Sequence, residues 1–344
     1  MFAAAFAFIV ALCASLLATV PVRRFALHVG MVDRPGPRKV HAVPIPLLGG
    51  LAIYSGVTLA ILFVIHGPAL SQVVGIFAGA TLVAAVGFLD DRGLLHHQIK
   101  LFLAMPASAC ILLVSGIRAN VFSVIIPGRA GWWCDTALTL VWVVGITAAF
   151  SILDHMDGLC AGVAATASLF FAIFALHGGQ WLVGTMAAAV MGAAIGFLRW
   201  NFSPAKIFMG DGGAMFLGFL MATLALKLRP ESQPPATWLV PLLILGVPIF
   251  DTTLVSISRS RRGLLPFTTP GKDHTAHRLS NLGLQQRGAV LLLYGLGMIF
   301  GFAALALSRL GSWPALGFAG AIAVAGLAAV AWLERAPYER QSAH

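Results

Sequence analysis

Charge is what this sequence is short of. Of its 344 residues only 10% are Asp, Glu, Lys or Arg, against roughly a quarter in a soluble globular domain. That excludes an ordinary water-soluble fold, and it equally excludes a charge-rich disordered chain. Cysteine is limited to Cys13, Cys110, Cys134 and Cys160, with no CxxC pair and no metal spacing. A disulfide-stapled fold is therefore excluded, and the four read as small apolar residues within or beside helices. No Gly-X-Y period runs through the 37 glycines, so the chain is not collagen-like. No linker, low-complexity stretch or appended soluble domain interrupts it.

What is present is apolar: 59% of the residues are hydrophobic, gathered in runs close to the roughly 20 residues that cross a bilayer. The pattern predicts an all-α integral membrane protein, a polytopic bundle of about 11 transmembrane helices. They fall near 2–20, 46–65, 71–89, 98–116, 135–153, 158–177, 180–198, 212–228, 236–256, 289–307 and 313–333. Residues 1–334 read as one membrane domain and 335–344 as a disordered cytoplasmic tail. The first run has no Lys or Arg ahead of it and no convincing cleavage site before Arg23 and Arg24, so it is expected to stay as a helix. Segment 117–134 is too polar and broken for a crossing and reads as a short hairpin or interfacial piece.

The net charge of +10 does not point to nucleic acid, because the basic residues form no single patch. They mark orientation instead. Seventeen of the 22 Lys and Arg fall in alternate connecting segments, and only Arg118, Arg129, Lys227, Arg229 and Arg309 fall on the other side. The positive-inside rule then puts the N-terminus outside and the C-terminus in the cytoplasm. The acids divide as unevenly: Asp135 and Glu231 lie outside, the other ten of 12 at or beyond the cytoplasmic ends. The positive-inside rule does not demand this of acids, which suggests that something cationic binds on that face.

Asp90 and Asp91 end the run TLVAAVGFLDD, Asp154 and Asp157 lie in AAFSILDHMDGLCAG, Asp211 in IFMGDGGAMFLGF and Asp251 in LILGVPIFDTTLV. A carboxylate inside a spanning segment costs roughly 3 kcal/mol or more and needs a partner, a wet cavity or a metal. Phosphoryl transfer from a charged, soluble donor to a lipid suits the set. Mg²⁺ takes one or two protein carboxylates plus phosphate oxygens, and would draw a pyrophosphate into a cluster otherwise hostile to anions. Arg38, Lys39, His41, Lys100, Lys206, Lys272, His274, His277 and Arg278 lie on the same predicted face and supply the remaining charge balance. Arg259, Arg261 and Arg262 read as ordinary orientation charges.

Six ordered segments, DRPGPRKVH with PIPLLGG, DDRGLLHHQIK, FSILDHMDGLCAG, NFSPAKIFMGDGG, PIFDT and DHTAHRL, resemble the polyprenyl-phosphate N-acetylhexosamine-1-phosphate transferases. The resemblance implies a cytoplasmic active-site cleft in the bacterial inner membrane. It also implies a reaction in which a UDP-sugar gives its sugar-1-phosphate to polyprenyl phosphate and releases UMP. It further implies Mg²⁺, with Mn²⁺ as the alternative ion, held by Asp211, Asp90 and Asp154. Asp90, Asp91 and Asp211 are the expected catalytic residues. Asp154, Asp157, Asn201, Lys206, His274, His277 and Arg278 are expected at the nucleotide sugar, and Lys100, Arg38, Lys39 and His41 at the lipid phosphate. The partners implied are the UDP-sugar, the lipid acceptor, the bilayer and a second copy in a homodimer, with no nucleic acid.

Two departures stand out: Ser151 replaces an Asn common in relatives, which bears on donor specificity, and His274-Thr275-Ala276-His277 is a reduced form of a fuller histidine cluster. The RKxH and PIPLLGG segments look more like the UDP-N-acetylglucosamine branch than the phospho-MurNAc-pentapeptide branch. The competing classes are weaker. An ion-coupled secondary transporter would place its carboxylates near the midplane within an internal repeat, and neither feature is seen. A CDP-alcohol phosphotransferase needs a DGxxAR run that is missing, and a catalytically dead scaffold would not need every aspartate.

Overall fold

Apolar runs punctuated by glycine, proline and charge fold as helices in this computed structural model, which describes residues 2–34, 43–64, 70–95, 97–232, 236–265 and 271–338. The chain divides into two compact units, Met1–Leu228 and Arg229–His344. The first holds α1 (Phe2–His28), α2 (Gly50–Val64), α3 (Leu70–Asp90) and α4 (His97–Ile99), which runs through a π-helical turn at Lys100–Ala104 into α5 (Met105–Val114). There follow α6 (Phe122–Ile125), α7 (Arg129–Leu153), α8 (Leu159–His177), α9 (Trp181–Asn201) and α10 (Gly210–Lys227). The second unit holds α11 (Ala236–Ile244), α12 (Gly246–Ser260), α13 (Thr275–Leu279), α14 (Gln285–Ser308) and α15 (Ser312–Leu333).

Lipid gives helices little hydrophobic reason to associate, so close packing through small residues takes over. One face of α1 buries Ala4, Ala7, Ala11, Ser15, Thr19 and Ala26. Gly192 and Gly196 of α9 lie against its backbone at Phe8 and Leu12, and Gly56 of α2 against Ala11. A side chain at any of the three would collide with a carbonyl oxygen. Helix α10 is the centre of this unit: every residue from Gly212 to Leu226 is buried, as expected of a helix that is apolar all round.

Each of the eleven predicted segments contains a helix. Among the described residues, seven helices are long and apolar enough to cross a membrane, or eight if α11 and α12 form one broken span. The segments near 46–65 and 98–116 differ from expectation. Their described apolar helices, Gly50–Val64 and Lys100–Val114, fall in the 10–17-residue class. At 1.5 Å per residue, 15 residues reach about 22 Å, short of a hydrocarbon core of about 30 Å. The segment expected near 236–256 is bent by 75° at its middle, where Pro248 can donate no hydrogen bond back to Ile244.

Helix α7 also starts earlier than predicted, at Arg129, because the buried Asp135 organises the segment before it. Its carboxylate accepts the backbone N–H groups of Val121, Phe122 and Ser123 at 2.8–3.0 Å, capping the short α6. The tail differs too. Arg335–Tyr338 belongs to the second unit: Asn281 donates to the Pro337 carbonyl at 3.0 Å and the Arg278 guanidinium lies against the Tyr338 ring.

Candidate active site

Helix α3 ends at Asp90 where α10 begins, and glycine makes the junction possible. Gly210 has φ +76°, a conformation that residues with a Cβ rarely adopt, and a Cβ there would lie 2.5 Å from Asp91 Oδ2. Asp91 Oδ1 accepts the Asp211 backbone N–H at 2.8 Å and Oδ2 that of Gly212 at 3.3 Å. Two of the N–H groups that a helix start leaves without partners are thereby satisfied by an anion at the positive end of the helix dipole. Gly87 meets Gly212 backbone to backbone, so α3 and α10 approach as closely as main chains allow.

The segment ahead of α2 holds the other side of this junction. Val32 and Asp33 pair antiparallel with Pro46 and Ile45. Phe208 donates to the Pro46 carbonyl at 2.8 Å, while Gly49 and Gly50 donate to the Phe208 and Met209 carbonyls at 2.9 Å. The PIPLLGG segment therefore clamps the strand of chain that leads into Gly210 and Asp211.

The side chain of Asp211 is the meeting point. Lys100, in its π-helical turn, donates to Asp211 Oδ2 at 2.7 Å and to Asp90 Oδ2 at 2.6 Å, with 14% of the lysine side chain exposed and 27% of Asp211. Ser151, near the end of α7, donates to Asp211 Oδ1 at 2.8 Å. Asp154 follows α7, and burial pushes its carboxyl up to about 8, with the charges of Asp211, Asp91 and Asp157 adding to the effect. Burial likewise pushes Asp91 up to about 7, the Asp211 charge adding to it and the two backbone N–H groups opposing it. Burial dominates both shifts, and the crowded negative charge that adds to them is what a cation would relieve. The donors are carboxylate oxygens, the type that a hard divalent ion takes.

The second unit has its own polar cluster. Asp251 of α12 is 2% exposed; its Oδ2 accepts from His274 Nδ1 at 2.9 Å and its Oδ1 from the Thr275 backbone N–H at 2.7 Å. Arg259 binds Asp273 through two nitrogens at 3.0 and 2.8 Å, and Arg262 adds a third contact at 2.5 Å. Burial alone would raise the Asp273 carboxyl, but the guanidiniums of Arg259 and Arg262 outweigh it and hold the group down at about 2. Arg278, wholly buried, donates to the Asp273 carbonyl at 2.8 Å and to Ser258 Oγ at 2.7 Å. It also pairs with Glu334 at 2.8 Å and lies 4.0 Å from the Tyr338 ring centre.

Residues 73–229 match the family model described as glycosyl transferase family 4. Over 313 residues, 90% of this chain and 86% of the relative, the chain is 38% identical to a probable undecaprenyl-phosphate N-acetylglucosaminyl 1-phosphate transferase of Bacillus subtilis. The chain belongs to glycosyl transferase family 4. It is also 33% identical to the decaprenyl-phosphate N-acetylglucosaminephosphotransferase of Mycolicibacterium smegmatis, over 79% of this chain and 74% of the relative. With an undecaprenyl-phosphate alpha-N-acetylglucosaminyl 1-phosphate transferase of Yersinia pestis it shares 27% identity, over 79% and 75%. The resemblance read from the motifs is borne out, as is its branch: these relatives carry N-acetylglucosaminyl names.

The family match spans Asp90, Asp91, Lys100, Ser151, Asp154, Asp157, Asn201, Lys206 and Asp211 and ends before Asp251. The structure gathers Asp90, Asp91, Lys100 and Asp211 directly, with Asp154 inside their field. Asn201, expected at the nucleotide, is buried with its amide between two backbone groups: Oδ1 accepts from Gly158 N–H and Nδ2 donates to the Ile207 carbonyl, each at 3.0 Å. Asp157 Oδ2 accepts the Ala205 N–H at 3.0 Å. Lys206 is exposed, its ammonium 5.6 Å from the Trp200 ring centre. His274 and Arg278 are buried, while His277 is half-buried. The buried guanidinium of Arg278 fastens its own unit. Arg38, Lys39 and His41 lie outside the described residues.

Sequence reasoning missed the contact of Ser151 with Asp211, having related the serine to donor choice alone. It also read Arg259 and Arg262 as orientation charges, whereas both pair with Asp273. A signal was available: Asp251, Leu254, Val255, Ser258 and Arg259 share one helical face by their spacing, and all five are buried.

Proposed function

We propose that this protein transfers N-acetylglucosamine 1-phosphate from UDP-N-acetylglucosamine to a polyprenyl phosphate such as undecaprenyl phosphate. A lipid phosphate oxygen attacks the β-phosphorus of the donor, the bond from that phosphorus to the bridging oxygen breaks, and UMP leaves. The product is polyprenyl-pyrophosphoryl N-acetylglucosamine, a first lipid-linked intermediate of envelope glycan synthesis. The observation that carries this reading is the Asp90, Asp91, Asp211 and Lys100 cluster at the junction of two apolar helices, within the span matched by the family.

The carboxylate oxygens of Asp211, Asp90 and Asp154 suit Mg²⁺ or Mn²⁺, and the charges of Asp211, Asp91 and Asp157 that add to the Asp154 shift are ones a cation would offset. When bound, such an ion would neutralise phosphate charge. The chain's own residues supply the rest. Asp91 spends both oxygens on the start of α10 and so positions Asp211. Lys100 bridges Asp90 and Asp211 and offers the cluster's positive charge to an entering phosphate. A phosphate monoester has a second pKa near 6 and is largely dianionic at neutral pH, so attack needs no strong base, which favours direct displacement over an aspartyl-phosphate route. Catalysis then rests on positioning and charge neutralisation.

Seventeen of 22 basic residues in the segments on the site's side support a site facing the cytoplasm of a bacterial plasma membrane. They also support eleven helical segments with the N-terminus outside. The deciding experiment incubates purified protein with undecaprenyl phosphate, Mg²⁺ and a panel of UDP-sugars and follows UMP. Release that requires lipid, metal and UDP-N-acetylglucosamine is expected; release from a different donor, or none from folded protein, overturns the reading.

A further inference from the structure

The histidine motif of the second unit divides its labour in a way its spelling conceals. His274 precedes α13 in extended conformation, φ −71° and ψ 158°, and its ring is turned back into the protein rather than outward: the side chain is 5% exposed and that of Asp251 2%. Nδ1 faces Asp251 Oδ2 at 2.9 Å. A carboxylate accepts only, so Nδ1 carries the proton. Nε2 then presents a lone pair, and an Arg259 N–H approaches it at 3.4 Å. Both ring nitrogens therefore address groups of the same unit. The other Asp251 oxygen takes the Thr275 N–H at 2.7 Å, one of those a helix start leaves over. One carboxylate thus holds both the ring and the backbone of residues 274–275.

We infer that Asp251 and His274 form a buried brace that positions the 271–278 loop, and that His274 is a positioning residue rather than a donor ligand. This rests on the proposed transferase reading and on the motif's expected place at the nucleotide sugar. His277, the other histidine of the motif, lies one helical turn further and is half-buried. Leu254 and Val255 are buried on the same face of α12 as Asp251. An error in the brace's geometry passes to the loop, because Asp273 and Arg278 are tied to α12 as well.

The test is a double-mutant cycle on the full-length protein in detergent, reading the KM for UDP-N-acetylglucosamine, the KM for undecaprenyl phosphate and the melting temperature. Asp251→Asn and His274→Gln should each raise the donor KM about tenfold, with the double variant little worse than either, since contacting residues couple. The lipid KM should stay the same, which general destabilisation would not produce selectively. His274→Asn places an amide donor where Nδ1–H stood and should recover most of what His274→Gln loses. Multiplied losses in the double variant, or a His274→Asn variant as impaired as His274→Gln, would overturn the brace. If wild type transfers no sugar phosphate, the transferase reading fails on its own. The same cycle in melting temperature then decides the brace: coupled shifts uphold it and additive shifts reject it.

Discussion

Asp91 accepts the backbone N–H of Asp211 at 2.8 Å across 120 positions of sequence. The second acid of the Asp90–Asp91 pair is thereby tied to the main chain of the residue on which the proposed chemistry centres, while the first faces Lys100. Neighbours in sequence thus hold different tasks, because one ends a helix and the other caps the start of another.

Asp211→Asn should lower metal-dependent turnover by about a hundredfold or more, the scale at which single electrostatic groups matter in active sites. The protein should remain folded, because the Asp91 bond is to its backbone. UMP release titrated with Mg²⁺, beside a melting curve, checks both halves; wild-type turnover would remove Asp211 from the metal site.

Lys100→Met should leave Asp90 and Asp211 facing each other without their shared cation. The expected result is a lower melting temperature in EDTA and a larger rise on adding Mg²⁺ than wild type shows, because ligand binding to the native state stabilises it. An unchanged Mg²⁺ response would mean that the ion does not bind beside this lysine.

Gly210→Ala should destabilise by roughly 1–3 kcal/mol, the range for a residue forced into a sparsely populated backbone region. The added Cβ also meets Asp91 Oδ2, so activity should fall further than stability. Thermal unfolding and turnover measured on the same preparation separate the two.

Ser151→Ala removes one hydrogen bond to Asp211 and should cost about 1 kcal/mol. Expressed in turnover that is about five- to tenfold, and the preference among UDP-sugars should stay as in wild type. A changed donor preference would instead place Ser151 at the sugar.

The Asp273 carboxyl sits near 2, below the usual 3.9 or so of an unfolded chain. Its contribution to stability is therefore fully present above about pH 4 and is lost as pH falls towards 2. Circular dichroism across that range should show wild type losing stability there, while Arg259→Ala, lacking the main partner, starts lower and loses less.

Much of this was legible in the order of the residues. A shortage of charge and runs of about bilayer length dictate helices whatever their neighbours, since a buried backbone in lipid must satisfy itself. Aspartates at the ends of such runs, spaced by glycine, announce a site by their cost alone. The family followed from motifs such as FMGDGG and DHTAHRL. Which aspartate does what was not legible. Asp90 and Asp91 are adjacent and chemically identical, and only the arrival of α10 and Lys100 from distant parts of the chain distinguishes them. The same holds for Asn201, Arg259, His274 and Arg278. Each is polar and could have faced a ligand, yet each is turned inward to satisfy backbone or charge that folding would otherwise leave buried and unpaired. Local composition determined where the helices and the acids are, because hydrophobicity and helix geometry act over a few residues. Tertiary structure alone decided which polar groups remain for chemistry, because hydrogen bonds and ion pairs are made between segments that only packing brings within 3 Å or so of one another.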